Sequence, residues 1–390
     1  MEPHSGPGIL LAFAAALLGA KVLGELAERI GQPSVLGELL AGVILGPSLL
    51  GWVPVSEALL VLAQIGVILL LFEVGLETDL GELVRVGVPA LNVALAGMVM
   101  PFAGGFFLTR ALGHPVVTSV FVGAALTATS IGITARVLSE LGVLDTREGR
   151  IILGAAVVDD VLGLVVLAVV SQMGTGGGAA GTIMRATVLA IGFLLLAVAA
   201  GIPIGRRLIR IVGRANVRGV LLAAAVGLAL LMSVAAKRAG SAEIVGAFAT
   251  GLVLARTNRR HDIDRAVKPV VDVFAPLFFV AVGAQVDVAF LDPRPAGNRS
   301  ALLLAAGLTA VGFAGKFAAG FFAGRGTRRT FVGAGMVPRG EVGLIFAAAG
   351  RASGVLPPGI FVSVVLAVFA TTFLAPPLLK ALRPRPPAEG

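Results

Sequence analysis

The 390-residue sequence contains no cysteine, so it has neither a disulfide nor a thiolate metal site, and it carries no trace of a redox compartment. Charge is scarce too: Asp, Glu, Lys and Arg make up 14% of the chain, against about a quarter in water-soluble domains. With 57% hydrophobic residues and a mean hydropathy of +0.98, this excludes a soluble globule and leaves a multi-spanning membrane protein. The first apolar run has no basic segment before it and no small-residue cleavage site after it, so it is read as a span rather than a signal peptide. Only "RPRPPAEG" at the other end reads as a disordered tail, and no soluble regulatory domain is expected. The formal charge of +9 does not point to nucleic acid, because the basic residues fall in short loops between apolar runs.

What is abundant is apolar sequence in helix-length runs. A spanning helix needs about 20 mostly apolar residues, and about thirteen stretches qualify: 7–29, 34–50, 56–76, 87–111, 116–140, 149–171, 183–207, 217–238, 240–257, 267–290, 300–324, 330–352 and 355–382. All are expected to be helical, since lipid offers no partner to unpaired backbone groups and barrel strands would alternate over about ten residues. Of the 31 Lys and Arg, three (Lys21, Lys316 and Arg339) lie within spans. The rest favour the connections after odd-numbered spans three to one, which puts the N-terminus outside and the C-terminus in the cytoplasm. Thirteen divides as six, one and six. With 183–207 as a linker, the two six-helix halves would be inverted with respect to the membrane, as in alternating-access carriers.

Two spans at equivalent positions of the halves are interrupted. The stretch 116–140 carries Thr127, Thr129, Ser130 and Gly132, and the stretch 330–352 carries Pro338, Arg339, Gly340 and Glu341 at its middle. Proline removes a backbone donor and glycine weakens a helix. Paired interruptions are where unwound carbonyls and half-helix ends hold ions near the midplane. The simpler alternative is that the hydroxyls bond their own helix and the proline only kinks it.

The deepest charges are Asp159 and Asp160 in "ILGAAVVDDVLGLVVLAVV", where each carboxylate costs about 2.5–3.5 kcal/mol on insertion scales. Helix neighbours point about 100° apart, so one is expected to face an ion cavity and the other a cationic side chain, for which Lys316 is the outstanding candidate. A carboxylate is a hard ligand for Na⁺ or Li⁺, and a carboxyl in apolar surroundings also holds a proton, so the two ions compete for one group. Arg339 and Glu341 are expected to be structural charges that neutralise the helix ends at the crossing. Pure helix pairing is the competing reading for Asp159, Asp160 and Lys316. Glu38, Glu73 and Glu243 lie in or near spans and are given no ion role.

Five stretches in order, "SVLGELLAGVILGPSLLG", "LLLFEVGLETDL", "LTATSIGITARVLSELG", "GAAVVDDVLGL" and "GMVPRGEVGLIF", resemble the monovalent cation:proton antiporter-2 family. The paired aspartates with Lys316 are most similar to its NapA-type sodium/proton antiporters. The resemblance implies an all-α antiporter fold with crossed interrupted helices, formed by a single transporter unit over 1–390. Its core domain would take in 87–171 and 300–382, its dimerisation domain 7–76 and 217–290. It also implies a homodimer in a bacterial inner membrane, elevator-type movement, and exchange of Na⁺ or Li⁺ for H⁺, which two titrating groups per cation, Asp160 and Lys316, would make electrogenic. The chain would be neither an enzyme nor in need of a cofactor, its partners being the lipid bilayer and the transported monovalent cations. Asp160 would be the principal cation and proton carboxylate, Asp159 a second cation ligand that pairs with Lys316 when no cation is bound, and Thr129 would lie at the unwound segment. Potassium-efflux relatives usually have one Asp beside a Gln and a nucleotide-sensing domain, and this chain has neither.

Two other classes fit less well. An intramembrane aspartyl protease needs its carboxylates on different helices so that they converge, and a channel needs repeated filter loops or rings of charge. A potassium/proton antiporter and a sodium-coupled organic-anion symporter remain as alternatives.

Overall fold

A computed structural model describes residues 6–78, 87–144, 146–173, 180–212, 219–239 and 241–383. The tail 384–390 and the loop residues Arg85, Arg214 and Arg218, which entered the charge count, lie outside them. In order, the helices are α1 (Gly6–Arg29), α2 (Ser34–Leu45), α3 (Glu57–Glu77), α4 (Gly87–Ala111), α5 (Val116–Ala125), α6 (Ile131–Glu140), α7 (Arg147–Met173) and α8 (Ala180–Val212). There follow α9 (Val220–Arg238), α10 (Glu243–Ala255), α11 (Arg260–Ala284), α12 (Ala296–Ala319), α13 (Arg329–Met336), α14 (Glu341–Ala352) and α15 (Pro358–Ala381).

Each of the thirteen apolar stretches contains helix. Among the described residues, eight helices are long and apolar enough to cross a membrane, and α13 with α14, bent by 41° at their break, bring the number to nine when the pair is counted as one broken span. Some boundaries differ from the hydropathy reading. Helix α2 stops at Leu45 rather than near 50, because the Gly46–Pro47 pair interrupts it. Helix α11 begins at Arg260 rather than 267, since its first turns are amphipathic and fail a test that looks only for apolar runs.

Several helix ends and polar side chains are satisfied locally, as lipid requires. Ser56 caps α3 by accepting from the Leu59 amide at 3.3 Å, with Glu57 in the first turn. Thr109, Ser233, Thr250 and Thr371 each donate to the carbonyl four residues earlier at 2.8–2.9 Å.

The chain forms two compact units. The first comprises the described parts of Met1–Leu23, Glu38–Leu80 and Leu164–Gln285; the second those of Gly24–Gly37, Gly81–Gly163 and Val286–Gly390. In the first, α3 packs on α10 and α11 and buries Phe72, Leu69 and Leu76 with Ala225, Ala247 and Val271. In the second, α12 packs against α4, α13 and α15, and α5 against α4 and α14.

Close crossings in the first unit rest on glycine. A Cβ at Gly42 would fall on the Val280 carbonyl oxygen, and one at Gly283 on that of Leu39, so α2 and α11 touch backbone to backbone. Gly42→Ala and Gly283→Ala should each destabilise the protein by about 1–3 kcal/mol through overpacking, read as a lower melting temperature in detergent. Gly227→Ala, whose new methyl meets open space, should not; equal melting for all three would contradict the crossing.

Candidate cation site at the crossed helices

Thr129, Asp159, Asp160, Lys316, Arg339 and Glu341 all lie in the second unit. Helix α5 ends at Ala125 and α6 begins at Ile131, leaving 126–130 unwound; α13 ends at Met336 and α14 begins at Glu341, leaving 337–340 unwound. Pro338 has no amide to donate, and Gly340 sits where a Cβ would press on the Ser130 side chain at 2.7–2.8 Å, so the second break needs glycine there. Gly132, expected within the first interruption, falls inside α6.

The two breaks bond to each other. The Ser130 amide donates to the Pro338 carbonyl at 2.9 Å. Thr129 Oγ1 donates to the Met336 carbonyl at 3.3 Å, and Thr134 Oγ1 to that of Gly335 at 3.0 Å. These hydroxyls satisfy carbonyls orphaned at the C-terminal end of α13. At the matching end of α5, the Arg339 guanidinium donates to the Leu126 carbonyl and, at 3.0 Å, to that of Gly312 in α12. Thr372 of α15 in turn donates to the Arg339 carbonyl. Arg339 therefore sets positive charge on the negative end of a half-helix, while Glu341, in the first turn of α14 and 3.4 Å from Ser130 Oγ, sets negative charge at the positive ends of α6 and α14.

Beside the crossing, Asp160 stands at the midpoint of α7. Asp159 Oδ2 lies 2.6 Å from Lys316 Nζ, and neither side chain is exposed. Asp160 points elsewhere and keeps 6% of its surface accessible. Its electrostatic neighbours are Glu341, Asp159 and Lys316. Lys316 lies in the last turn of α12, nearer the helix end than the apolar run suggests. Asp159 Oδ1 has no hydrogen-bond partner among the described residues, so one oxygen of the pair is left with free lone pairs.

Charge bookkeeping states what such a cluster can do. Asp159, Asp160 and Glu341 against Lys316 and Arg339 leave one negative charge when all five are ionised. A net charge in a low-dielectric interior is costly. One monovalent cation, or one proton, cancels it.

Thr134, Thr372, and the Leu126 and Gly312 carbonyls escaped the sequence reading. Thr134 was detectable as the hydroxyl one helical turn after Ser130; the others join only through the fold. Of the other acidic groups, Glu243 pairs with Lys237 at 2.5 Å and accepts from Gln64, and Glu38 is buried. Glu73 has carboxylate neighbours in Glu77 and Asp264, the three lying within 4.8 Å of one another.

Removing Lys316 strands Asp159. Breaking a buried pair from one side costs about 3–5 kcal/mol, whereas apolar replacement of both partners is often neutral. Lys316→Ala should lower the melting temperature in detergent markedly, and the Asp159→Val/Lys316→Met double variant should regain most of the loss. Unchanged melting of Lys316→Ala would count against the pair.

The family profile described as sodium/hydrogen exchanger, transmembrane, matches residues 12–382. The high-affinity Na⁺/H⁺ antiporter NhaS3 of Synechocystis is 40% identical over 96% of this chain and 90% of its own length. The Na⁺/H⁺-K⁺ antiporter GerN of Bacillus cereus is 37% identical over 94% of each. The solved sodium proton antiporter MjNhaP1 of Methanocaldococcus jannaschii, 18% identical, superposes with a TM-score of 0.73 over 96% of this chain and 97% of that one, and so shares the fold.

Proposed function

Because the chain belongs to the sodium/hydrogen exchanger family, we propose that it is a secondary active antiporter that exchanges Na⁺ or Li⁺ for H⁺ at Asp160 and Asp159. The observation that carries this reading is the buried Asp159–Lys316 pair with a second buried carboxylate, Asp160, next to it, beside two unwound helices. With no cation bound, Asp160 carries a proton and Asp159 is neutralised by Lys316. An entering cation takes the Asp160 carboxylate, displaces its proton and draws on Asp159 as a second oxygen ligand, with Thr129 at the unwound segment of α5–α6 alongside. Lys316 then loses Asp159 as its counter-ion and sheds its proton, so the cluster passes from neutral with Asp160 protonated to one net negative charge with the cation bound. Two protons thus leave for each cation that enters, and the exchange is electrogenic. The unequal charge couples transport to the membrane potential at about 2.3 kcal/mol per 100 mV.

Arg339 and Glu341 hold the half-helix ends and stay outside the exchange. The architecture we assign has thirteen spans as two inverted six-helix repeats around α8, with a core domain over 87–171 and 300–382 that moves like an elevator against a dimerisation domain over 7–76 and 217–290. We further assign a homodimer in a bacterial inner membrane, N-terminus outside and C-terminus cytoplasmic. The excess of basic residues in the connections after odd-numbered spans supports that orientation. No cofactor enters the cycle, and the only bonds made or broken are the O–H of Asp160 and the N–H of Lys316 that carry the exchanged protons. Potassium/proton exchange is the second reading, favoured by the K⁺ in the name of GerN.

In proteoliposomes, Asp160→Asn should abolish Na⁺-driven proton movement, and wild-type exchange in that variant would refute the site. Because protons compete with the cation, the apparent KM for Na⁺ should rise as pH falls across about pH 6 to 9, and a flat profile would contradict shared occupancy. Assaying each alkali cation in turn separates the sodium from the potassium reading.

A further inference from the structure

Glycine inside a helix gives up stability relative to alanine, because it loses more backbone freedom on folding and packs no side chain. Several buried glycines of the second unit have a visible steric reason to be there. A Cβ at Gly123, Gly149 or Gly333 would fall 2.1–2.7 Å from a carbonyl oxygen of another segment, so only glycine lets those elements touch. Gly163 is different. It is buried in the interior of α7, yet among the described residues the one heavy atom beyond its own turn of helix that a Cβ would meet within 4 Å is Val342 Cγ1, at 4.0 Å. Packing does not call for glycine at 163, and alanine fits there.

Its place on the helix does call for it. Residues three apart are neighbours on a helical face, so Gly163 stands one turn past Asp160 on the same side of α7. Side chains on a helix lean towards its N-terminus, so any side chain at 163 would lie back over the Asp160 turn. Facing them, α14 offers Glu341 as an electrostatic neighbour of Asp160, and the next residue, Val342, as the neighbour of Gly163. The room that glycine leaves therefore lies between α7 and α14, on the face that carries Asp160.

A cation needs such room. Hard cations fill a shell of about six oxygens, and those held by only one or two carboxylates keep several waters. Asp160 and Asp159, with Thr129 alongside, do not complete such a shell, and each retained water takes space of its own.

We infer, on the reading of Asp160 as the cation carboxylate, that Gly163 is a specificity-determining residue of the exchange: by carrying no side chain it leaves room beside Asp160 for a partly hydrated ion, and the size of that room ranks the alkali cations. A methyl group at 163 takes the room without striking the surrounding protein. It displaces water from the shell, which disfavours Na⁺ more than Li⁺, the smaller ion with fewer oxygens around it. A hydroxymethyl group takes the same room but returns an oxygen.

Proton movement driven by Li⁺, Na⁺ and K⁺ at one pH, in proteoliposomes holding each variant, tests this together with melting in detergent. Gly163→Ala should melt no lower than the wild type, while its apparent KM for Na⁺ rises at least about threefold, with a smaller rise for Li⁺ and a smaller change in kcat. Gly163→Ser should recover most of the Na⁺ KM. Gly227→Ala, which also meets open space but lies in the first unit, should leave the cation ranking as it is. A wild-type ratio of the Li⁺ and Na⁺ KM values in Gly163→Ala would overturn the inference. So would a kcat that falls by one factor for every cation with KM unchanged, the mark of a hinge in α7. Na⁺-driven exchange that survives Asp160→Asn would instead remove the reading of Asp160 itself.

Discussion

A lysine ammonium and an aspartate carboxylate held 2.6 Å apart with no exposure to solvent are the constraint around which the second unit is organised. Taking two charges out of water costs several kcal/mol per ion, and only good geometry with further hydrogen bonds repays it. Nothing in the pair itself requires the second buried carboxylate, Asp160, next to it. A membrane helix built only for stability would use apolar side chains at all three positions. The arrangement makes sense if the charge balance is meant to be changed by an arriving ion.

The crossed helices supply the rigid surroundings for that change. Broken helices leave carbonyls and amides without partners, and in lipid each costs several kcal/mol. Here the orphans are met by side chains from the opposite break: Thr129 and Thr134 on the end of α13, Arg339 on the end of α5. Arg339 also reaches Gly312 on α12 and receives Thr372 from α15, so it joins four elements of the unit. Among the described residues it is the largest fully buried side chain, and its bonds tie the crossing together from within.

Much of this was legible in the sequence, and for identifiable reasons. Apolar runs bounded by loops gave α4 its limits at 87 and 111, and Pro338 with Gly340 marked the second break. The cost of charge in lipid singled out Asp159, Asp160, Lys316 and Arg339 before any coordinate. Carbonyl partners were not legible, because every residue has a carbonyl and only the fold says which one Arg339 meets. Gly132 was read together with the hydroxyl run that precedes it, yet the helix resumes at Ile131, before it. The hydroxyls at 127, 129 and 130 lie in the unwound segment 126–130 itself. Amphipathic turns such as the start of α11 are likewise invisible to a test for apolar length.

The central claim is that a cation and protons take turns on the same buried groups. Calorimetric titration of the purified protein with Na⁺, in buffers of differing ionisation enthalpy, counts the protons released as the cation binds, with no transport step involved. The account predicts heats that depend on the buffer and more than one proton released per bound Na⁺ at a pH where Lys316 and Asp160 are both protonated. Binding heat that is the same in every buffer would mean that no proton leaves, and would contradict it.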